Sequence, residues 1–159
     1  MKELLHGVYT DLFKLLPLSQ LHYDLLKARG LKENEIKEHG YGSLPISDRH
    51  KISKILFDRY GEAALSSIPG VYSKEGKYGD YFTIFGGTGF MIPIMNINRQ
   101  IIGIQVRLDQ PSSKTKYIWL STDSKKNGTN SGSPVHIGWG QILLQLSIHF
   151  WDRVIPYIH

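Results

Sequence analysis

The strongest structural signal in the chain is the stretch GFMIPIMNINRQIIGIQVRLDQPSSKTKYIWLS, residues 89–121. β-Branched and aromatic residues dominate its apolar runs, and apolar and polar positions alternate with a period of two, which is typical of half-buried strands. In the second run, Ile104 and Val106 lie on one side and Arg107 on the other. We predict strands at 90–95, 101–108 and 117–120, preceded by one at 81–85, with a tight hairpin at 96–100. One face of this antiparallel sheet is expected to be buried and the other polar.

Upstream of the sheet, the apolar residues recur with the period of a helix. The first sixteen residues carry leucines and a valine at helical spacing, and Pro17 ends the pattern. A second helix is predicted to begin after Ser19, a good N-terminal capping residue, and to end at Gly30. A longer helix is predicted between Asp48 and Gly61. The leucines expected on the inward face of the second helix are Leu21, Leu25 and Leu26.

Length and order of elements predict one α+β domain. The 159 residues are 41% hydrophobic and 21% charged, which suffices for one core of ordinary size. Helices come first and strands follow, the order of an α+β fold rather than of an alternating α/β fold. We expect a helical part at 1–65, a sheet at 80–121, a mobile polar loop at 121–135 and an amphipathic C-terminal helix at 141–155.

The composition favours anionic partners. Lys and Arg number 19 against 14 Asp and Glu, for a formal charge of +5, although many basic proteins bind no nucleic acid. The lack of cysteine excludes disulfides, thiolate metal sites and thiol nucleophiles, and it fits a reducing compartment, so we expect the cytoplasm. No apolar segment has the length of a signal peptide core or of a membrane-spanning helix of about 20 residues. No membrane association is therefore expected.

Two weaker motifs predict no ligand. Residues 86–89, Gly-Gly-Thr-Gly, lack the Lys-Ser or Lys-Thr pair and the helix start of a phosphate-binding loop, so a hairpin turn is predicted there. The seven histidines never show His-x-x-x-His spacing or a neighbouring carboxylate motif. We predict neither a metal ion nor a cofactor.

An ordered set of short motifs covers residues 21–121. Upstream, residues 23–31 read YDLLKARGL, and Glu35-Ile36 and Gly40-Tyr41 follow. The strand ending in Ile-Pro-Ile, the hairpin, the strand that reaches Arg107 and the pair Lys116-Tyr117 come next. This order and spacing resemble the N-terminal half of the catalytic core of bacterial DnaG-type primases. Residues 68–72 (IPGVY) and 133–136 (SPVH) look more like replication proteins of plasmids and conjugative elements, in which such a segment precedes a Toprim-like domain.

The resemblance implies a basic groove that holds nucleic acid. In DnaG-type primases the arginine and the lysine at the positions of Arg107 and Lys116 line such a groove beside the active site. A guanidinium on a strand can hold a phosphate through two hydrogen bonds, and an ammonium adds a point charge. Lys125 and Lys126 are placed in the loop, where they could follow phosphates, and Tyr117 could stack on a base.

Each of these residues also has a plain structural interpretation. Arg107 could be a solvated arginine paired with Asp109, Tyr117 could pack in the core, and the two loop lysines could serve solubility. The motif favours the functional interpretation of Arg107. The implied partners are single-stranded DNA or a primer–template, together with a replicative helicase or a separate Toprim-containing protein.

The sequence departs from the primase pattern after residue 137. The resemblance would require a glutamate and an Asp-x-Asp pair in a Toprim half to hold divalent metals, and the only acid in this tail is Asp152. The chain is therefore expected to bind without catalysing on its own. Two interpretations stay open, a truncated or frameshifted remnant and a small protein that keeps the binding half. An alternative function is a small interaction protein that docks on a replication factor through the helix at 141–155.

Overall fold

The computed structural model describes residues 1–137 and shows an α+β fold, as the sequence predicts. The helices are α1 (Lys2–Leu15), α2 (Gln20–Ala28), α3 (Glu33–His39), α4 (Arg49–Tyr60) and α5 (Glu62–Leu65). The strands are β1 (Gly42–Leu44), β2 (Val71–Lys74), β3 (Tyr81–Ile84), β4 (Gly89–Met95), β5 (Ile101–Leu108) and β6 (Tyr117–Trp119). The predicted helix at 141–155 lies outside the described residues. None of the helices within 1–137 combines the length and hydrophobicity needed to cross a bilayer.

Four strands form one antiparallel sheet in the order β1-β4-β5-β6, and β2 and β3 form a separate two-stranded sheet. The register places Met91, Val106 and Ile118 in one row across the larger sheet. These side chains face the main core, which the buried residues Val8 and Leu12 of α1 complete. We call this side the core face, and the opposite side the outer face.

The outer face is partly covered by α2 and α3. Leu26 of α2, Ile36 of α3 and Phe90 of β4 are buried together in a second, smaller cluster. Leu21 and Leu25 were also predicted to face inward, and this is wrong, since 68% and 39% of their surfaces are exposed. The short α2 packs on the rest of the fold along one narrow stripe, which only Leu26 of the three leucines occupies.

Sequence patterns did not predict β1 and β2, and they assigned the 86–89 turn incorrectly. Gly42 opens β1, where an added Cβ would lie 2.6 Å from the carbonyl oxygen of Leu16. Residues 86–89 do not close a hairpin, because β3 and β4 belong to different sheets. This connection is held by Arg49, whose guanidinium donates to the carbonyl oxygens of Ile84 and Gly86.

A buried carboxylate joins α1 to the end of α4. The hydroxyl of Tyr60 donates to Asp11 Oδ2 over 2.5 Å, and Arg59 Nη1 lies 2.9 Å from the same oxygen. The hydrogen bond from Tyr60, followed by the charges of Arg59 and Lys14, lowers the pKa of Asp11 below its ordinary value, although burial opposes this. The ionised form of Asp11 therefore stabilises the fold.

We expect Asp11→Asn to lower the free energy of unfolding by about 1–3 kcal/mol at neutral pH. Because the folded-state pKa is depressed, the stabilisation by Asp11 is present above the ordinary aspartate pKa, and it is lost as the pH falls through the folded-state value. Urea unfolding of both proteins from neutral to acidic pH should show a difference that shrinks below about pH 4. The control is Asp58→Asn, which removes an exposed pair with Lys54. A difference that does not change with pH would contradict this assignment.

Candidate nucleic-acid interface

Arg107 lies on the outer face of β5 and makes no ion pair with any residue of 1–137. Its Nη1 donates to the carbonyl oxygens of Leu108 and Lys116, both over 3.4 Å, and its buried Nε has no hydrogen-bond partner in the described structure. A guanidinium offers five N–H donors, and these two bonds are long. Arg107 therefore has no neutralising partner within residues 1–137, and its Nη atoms keep hydrogen-bonding capacity for a ligand.

The carboxylate of Asp109 is engaged elsewhere, so the predicted alternative of an Arg107–Asp109 pair is wrong. His22 Nε2 donates to Asp109 Oδ1 over 2.7 Å, and His22 Nδ1 lies 2.7 Å from Ser43 Oγ. Ser43 Oγ also accepts from the backbone N–H of Ser19 over 2.8 Å. The imidazole is buried and links α2, β1 and the end of β5. Because this link occupies Asp109, Arg107 has no carboxylate partner among residues 1–137.

Of the residues predicted for the site, the structure brings Arg107 and Tyr117 together. They lie opposite each other on β5 and β6, and the guanidinium carbon is 5.2 Å from the centre of the Tyr117 ring. Tyr117 is 47% exposed, so core packing does not account for it. A cation over an exposed ring is a surface that suits a phosphate beside a stacked base.

Lys116 is adjacent in the chain but not on the same face. The N–H of Leu108 donates to the carbonyl oxygen of Lys116 over 3.1 Å, which continues the β5–β6 register by one step. Side chains that oppose each other across an antiparallel pair share a face, so Lys116 starts on the side of Leu108, away from Arg107. Lys116 is exposed, and no contact within residues 1–137 joins its ammonium to the guanidinium of Arg107.

Lys125 and Lys126 contact the two-stranded sheet instead. Lys126 Nζ is 2.7 Å from Asp80 Oδ2 and 3.6 Å from Glu75 Oε1, and the hydrogen bond that it donates to Asp80 is the main cause of its raised pKa. Lys125 Nζ lies 5.3 Å from the centre of the Phe85 ring. The loop that carries them is irregular, as predicted, and its buried Thr122 donates to the carbonyl oxygen of Val71. The mobility of this loop stays a prediction.

Two further aromatic residues extend the surface around Arg107. The rings of His39 and Tyr41 are stacked, with centres 5.5 Å apart and planes within 3°, and Tyr41 meets Phe90 edge-on. Burial, followed by the nearby Tyr117 and Glu35, raises the pKa of Tyr41. We call the surface formed by His39, Tyr41, Arg107 and Tyr117 the outer-face patch. Tyr41 stands in the Gly40-Tyr41 motif, which was the one sequence signal that could have identified it.

This arrangement of helices and strands also occurs in solved structures of a bacterial primase. The RNA polymerase domain of the Mycobacterium tuberculosis primase DnaG, in complex with a double-stranded DNA oligomer with a 6-nucleotide overhang, matches with a TM-score of 0.57 and 17% identity. The match covers 74% of this chain and 38% of that chain. This chain shares its fold with part of a DnaG primase. The same domain in complex with another double-stranded DNA gives a TM-score of 0.57, 18% identity, and coverage of 76% and 40%.

The DnaG similarity confirms the primase-like fold that the motifs predict. The chain spans about 40% of the length of these primase domains, and at 17–18% identity the similarity establishes the fold alone. No protein-family model and no curated protein matches the chain. Within residues 1–137, no three His, Asp or Glu side chains lie close enough together to hold a metal ion.

Proposed function

We propose that the chain is a primase-like nucleic-acid-binding unit that engages single-stranded DNA or a primer–template through the outer-face patch. The observation that supports this most directly is the guanidinium of Arg107, which has no ion-pair partner in the described structure and lies over the exposed ring of Tyr117. The DnaG domain of the same fold has been solved in complex with DNA, which favours the same class of ligand here.

The chemistry of the patch fits a single strand better than a small anion. A guanidinium can hold one phosphate, while Tyr117 and the stacked pair of His39 and Tyr41 offer ring faces to unpaired bases. Base stacking on aromatic rings tolerates any sequence, and phosphate contacts carry no sequence information. Binding is therefore expected to be weak, sensitive to salt and largely independent of sequence.

We also propose that the unit does not catalyse phosphoryl transfer on its own. The DnaG resemblance assigns the metal-binding carboxylates to a Toprim half, so a Toprim-containing partner would supply them, and a replicative helicase would be a second partner. The resemblance of residues 68–72 and 133–136 to plasmid and conjugative-element replication proteins supports a role in the replication of a mobile element. Such a role would be carried out in the cytoplasm.

The test of this function is the affinity of the full chain for labelled single-stranded DNA, measured by fluorescence anisotropy across a salt series. We expect a Kd on the order of micromolar at low salt and a log–log salt slope of about −1 to −3, because few phosphates are contacted. Oligonucleotides of different sequence should bind within a few-fold of each other. The absence of binding at low salt, or an affinity that salt leaves unchanged, would overturn the proposal.

A further inference from the structure

A cavity of about 470 Å³ opens between α4 and the two-stranded sheet of β2 and β3. We call it the α4 cavity. No residue of the outer-face patch lines it, so it is a separate place on the molecule. Its volume lies in the range of pockets that hold small organic ligands.

Aromatic rings form two sides of the α4 cavity. Phe57 of α4 and Phe82 of β3 have ring centres 5.8 Å apart with planes tilted by 32°, and His50 meets Tyr81 edge-on at 6.2 Å. Phe57 and Tyr81 are 36% and 39% exposed, although large aromatic side chains are usually buried more deeply. Rings that are held in place and open to a cavity suit a planar, aromatic ligand.

The charges that line the α4 cavity do not suit a phosphate. Lys54 Nζ is engaged with both carboxylate oxygens of Asp58, and Asp80 is engaged with Lys126. Glu62 also lines the cavity and makes no ion pair with any residue of 1–137. The charge left without a partner is therefore negative, in a chain of formal charge +5. An ionised carboxylate only accepts hydrogen bonds, so a ligand that donates hydrogen bonds suits this position.

We propose that the α4 cavity is a nucleobase site that prefers guanine. Guanine has a flat ring that can pack against the aromatic side chains of the cavity, and two adjacent N–H donors on one edge that a single carboxylate can accept together. Adenine presents one donor and one acceptor on the corresponding edge, and the acceptor would face the negative charge of Glu62. The hydroxyl of Ser73 and the amide of Asn127 also line the cavity and can bind the remaining polar atoms of the base.

The experiment is a titration of the isotopically labelled full chain with 2′-deoxyguanosine, a ligand without phosphate, followed by NMR chemical shifts. Saturable shifts should appear at Phe57, Phe82 and Ser73, with a Kd on the order of a millimolar or below. 2′-Deoxyadenosine should bind about tenfold more weakly. Glu62→Gln should weaken 2′-deoxyguanosine binding about tenfold and reduce the preference for guanine, because a charged acceptor is lost.

Matched variants distinguish a loss of binding in the α4 cavity from a general effect of charge or stability. Glu33→Gln removes an exposed acid of α3 outside the cavity and should leave the titration unchanged. Phe57→Leu keeps an apolar side chain but removes the ring, and should weaken binding about tenfold. Glu62 is exposed, so Glu62→Gln should have little effect on stability. This variant therefore tests the site even if Phe57→Leu lowers stability. Arg107→Ala should not affect nucleoside binding in the α4 cavity. The DNA-binding function and the nucleobase site can therefore fail independently of each other.

Three results would overturn the nucleobase site. These are the absence of saturable shifts up to the solubility limit of the nucleoside, equal affinity for both nucleosides with no effect of Glu62→Gln, and shifts confined to the outer-face patch.

Discussion

Arg107→Ala lowers the affinity for single-stranded DNA about tenfold or more at low salt and makes the log–log salt slope about one unit shallower. This result is expected because the guanidinium makes only two long hydrogen bonds within the described structure and no ion pair there. Lys116→Ala should have a smaller effect, about two- to threefold, because Lys116 opposes Leu108 and so begins on the face away from Arg107. Anisotropy titrations across a salt series measure both quantities.

The matched control for Arg107→Ala is Lys2→Ala, which removes the same formal charge from an exposed position at the start of α1. Arg107→Lys keeps the charge but not the planar fork of donors, so its affinity should be intermediate. Tyr117→Phe should bind like the unaltered chain, whereas Tyr117→Ala should lose stacking and bind about five- to tenfold more weakly. Equal losses for Arg107→Ala and Lys2→Ala would show that net charge, rather than the patch, determines binding.

Gly89→Ala should destabilise the fold by about 3 kcal/mol or more. A Cβ at Gly89 would lie 1.9 Å from the carbonyl oxygen and 2.8 Å from the carbonyl carbon of Arg107, both backbone atoms of the neighbouring strand. Neither atom can move away without breaking the β4–β5 pairing, in which Gly89 lies opposite Leu108. Urea unfolding and thermal melting should show the loss as a lower midpoint, with a drop in Tm of about 10 °C.

Gly7→Ala is the control for the effect of adding a methyl group. Gly7 lies inside α1, and its Cβ would meet the hydroxyl of Tyr60 at 3.4 Å, a distance that a small adjustment accommodates. Because alanine is favoured over glycine within a helix by about 0.5–1 kcal/mol, this variant should be as stable as the unaltered chain or slightly more so. A Gly89→Ala variant that unfolds within 1 kcal/mol of the unaltered chain would contradict the close approach of β4 and β5.

Local sequence patterns predicted the elements that are long enough to show a period. The strands β4, β5 and β6 and the helices α1, α2 and α4 all begin and end close to the predicted residues. β1 and β2 have only three and four residues, too few to show a period, and β1 also pairs with β4, a strand distant in sequence. The turn at 86–89 was assigned wrongly because composition indicates a change of direction but not which strands it separates.

The candidate site was only partly predictable. Arg107 and Tyr117 follow from the motif, and the structure places them in contact. That Lys116 and Tyr117 lie on opposite faces could have been read from the alternation of side chains along a strand, since the two residues are adjacent. The link from His22 to Asp109 joins residues 87 positions apart and has no sequence signature. The sequence therefore could not predict that Asp109 is unavailable to Arg107.

The buried imidazole of His22 holds α2 against the larger sheet. A movement of α2 away from the sheet would break the hydrogen bonds of His22 to both Ser43 and Asp109. These bonds oppose movement of α2. If the outer-face patch binds DNA as proposed, we therefore expect nearly the same backbone in the free and bound states.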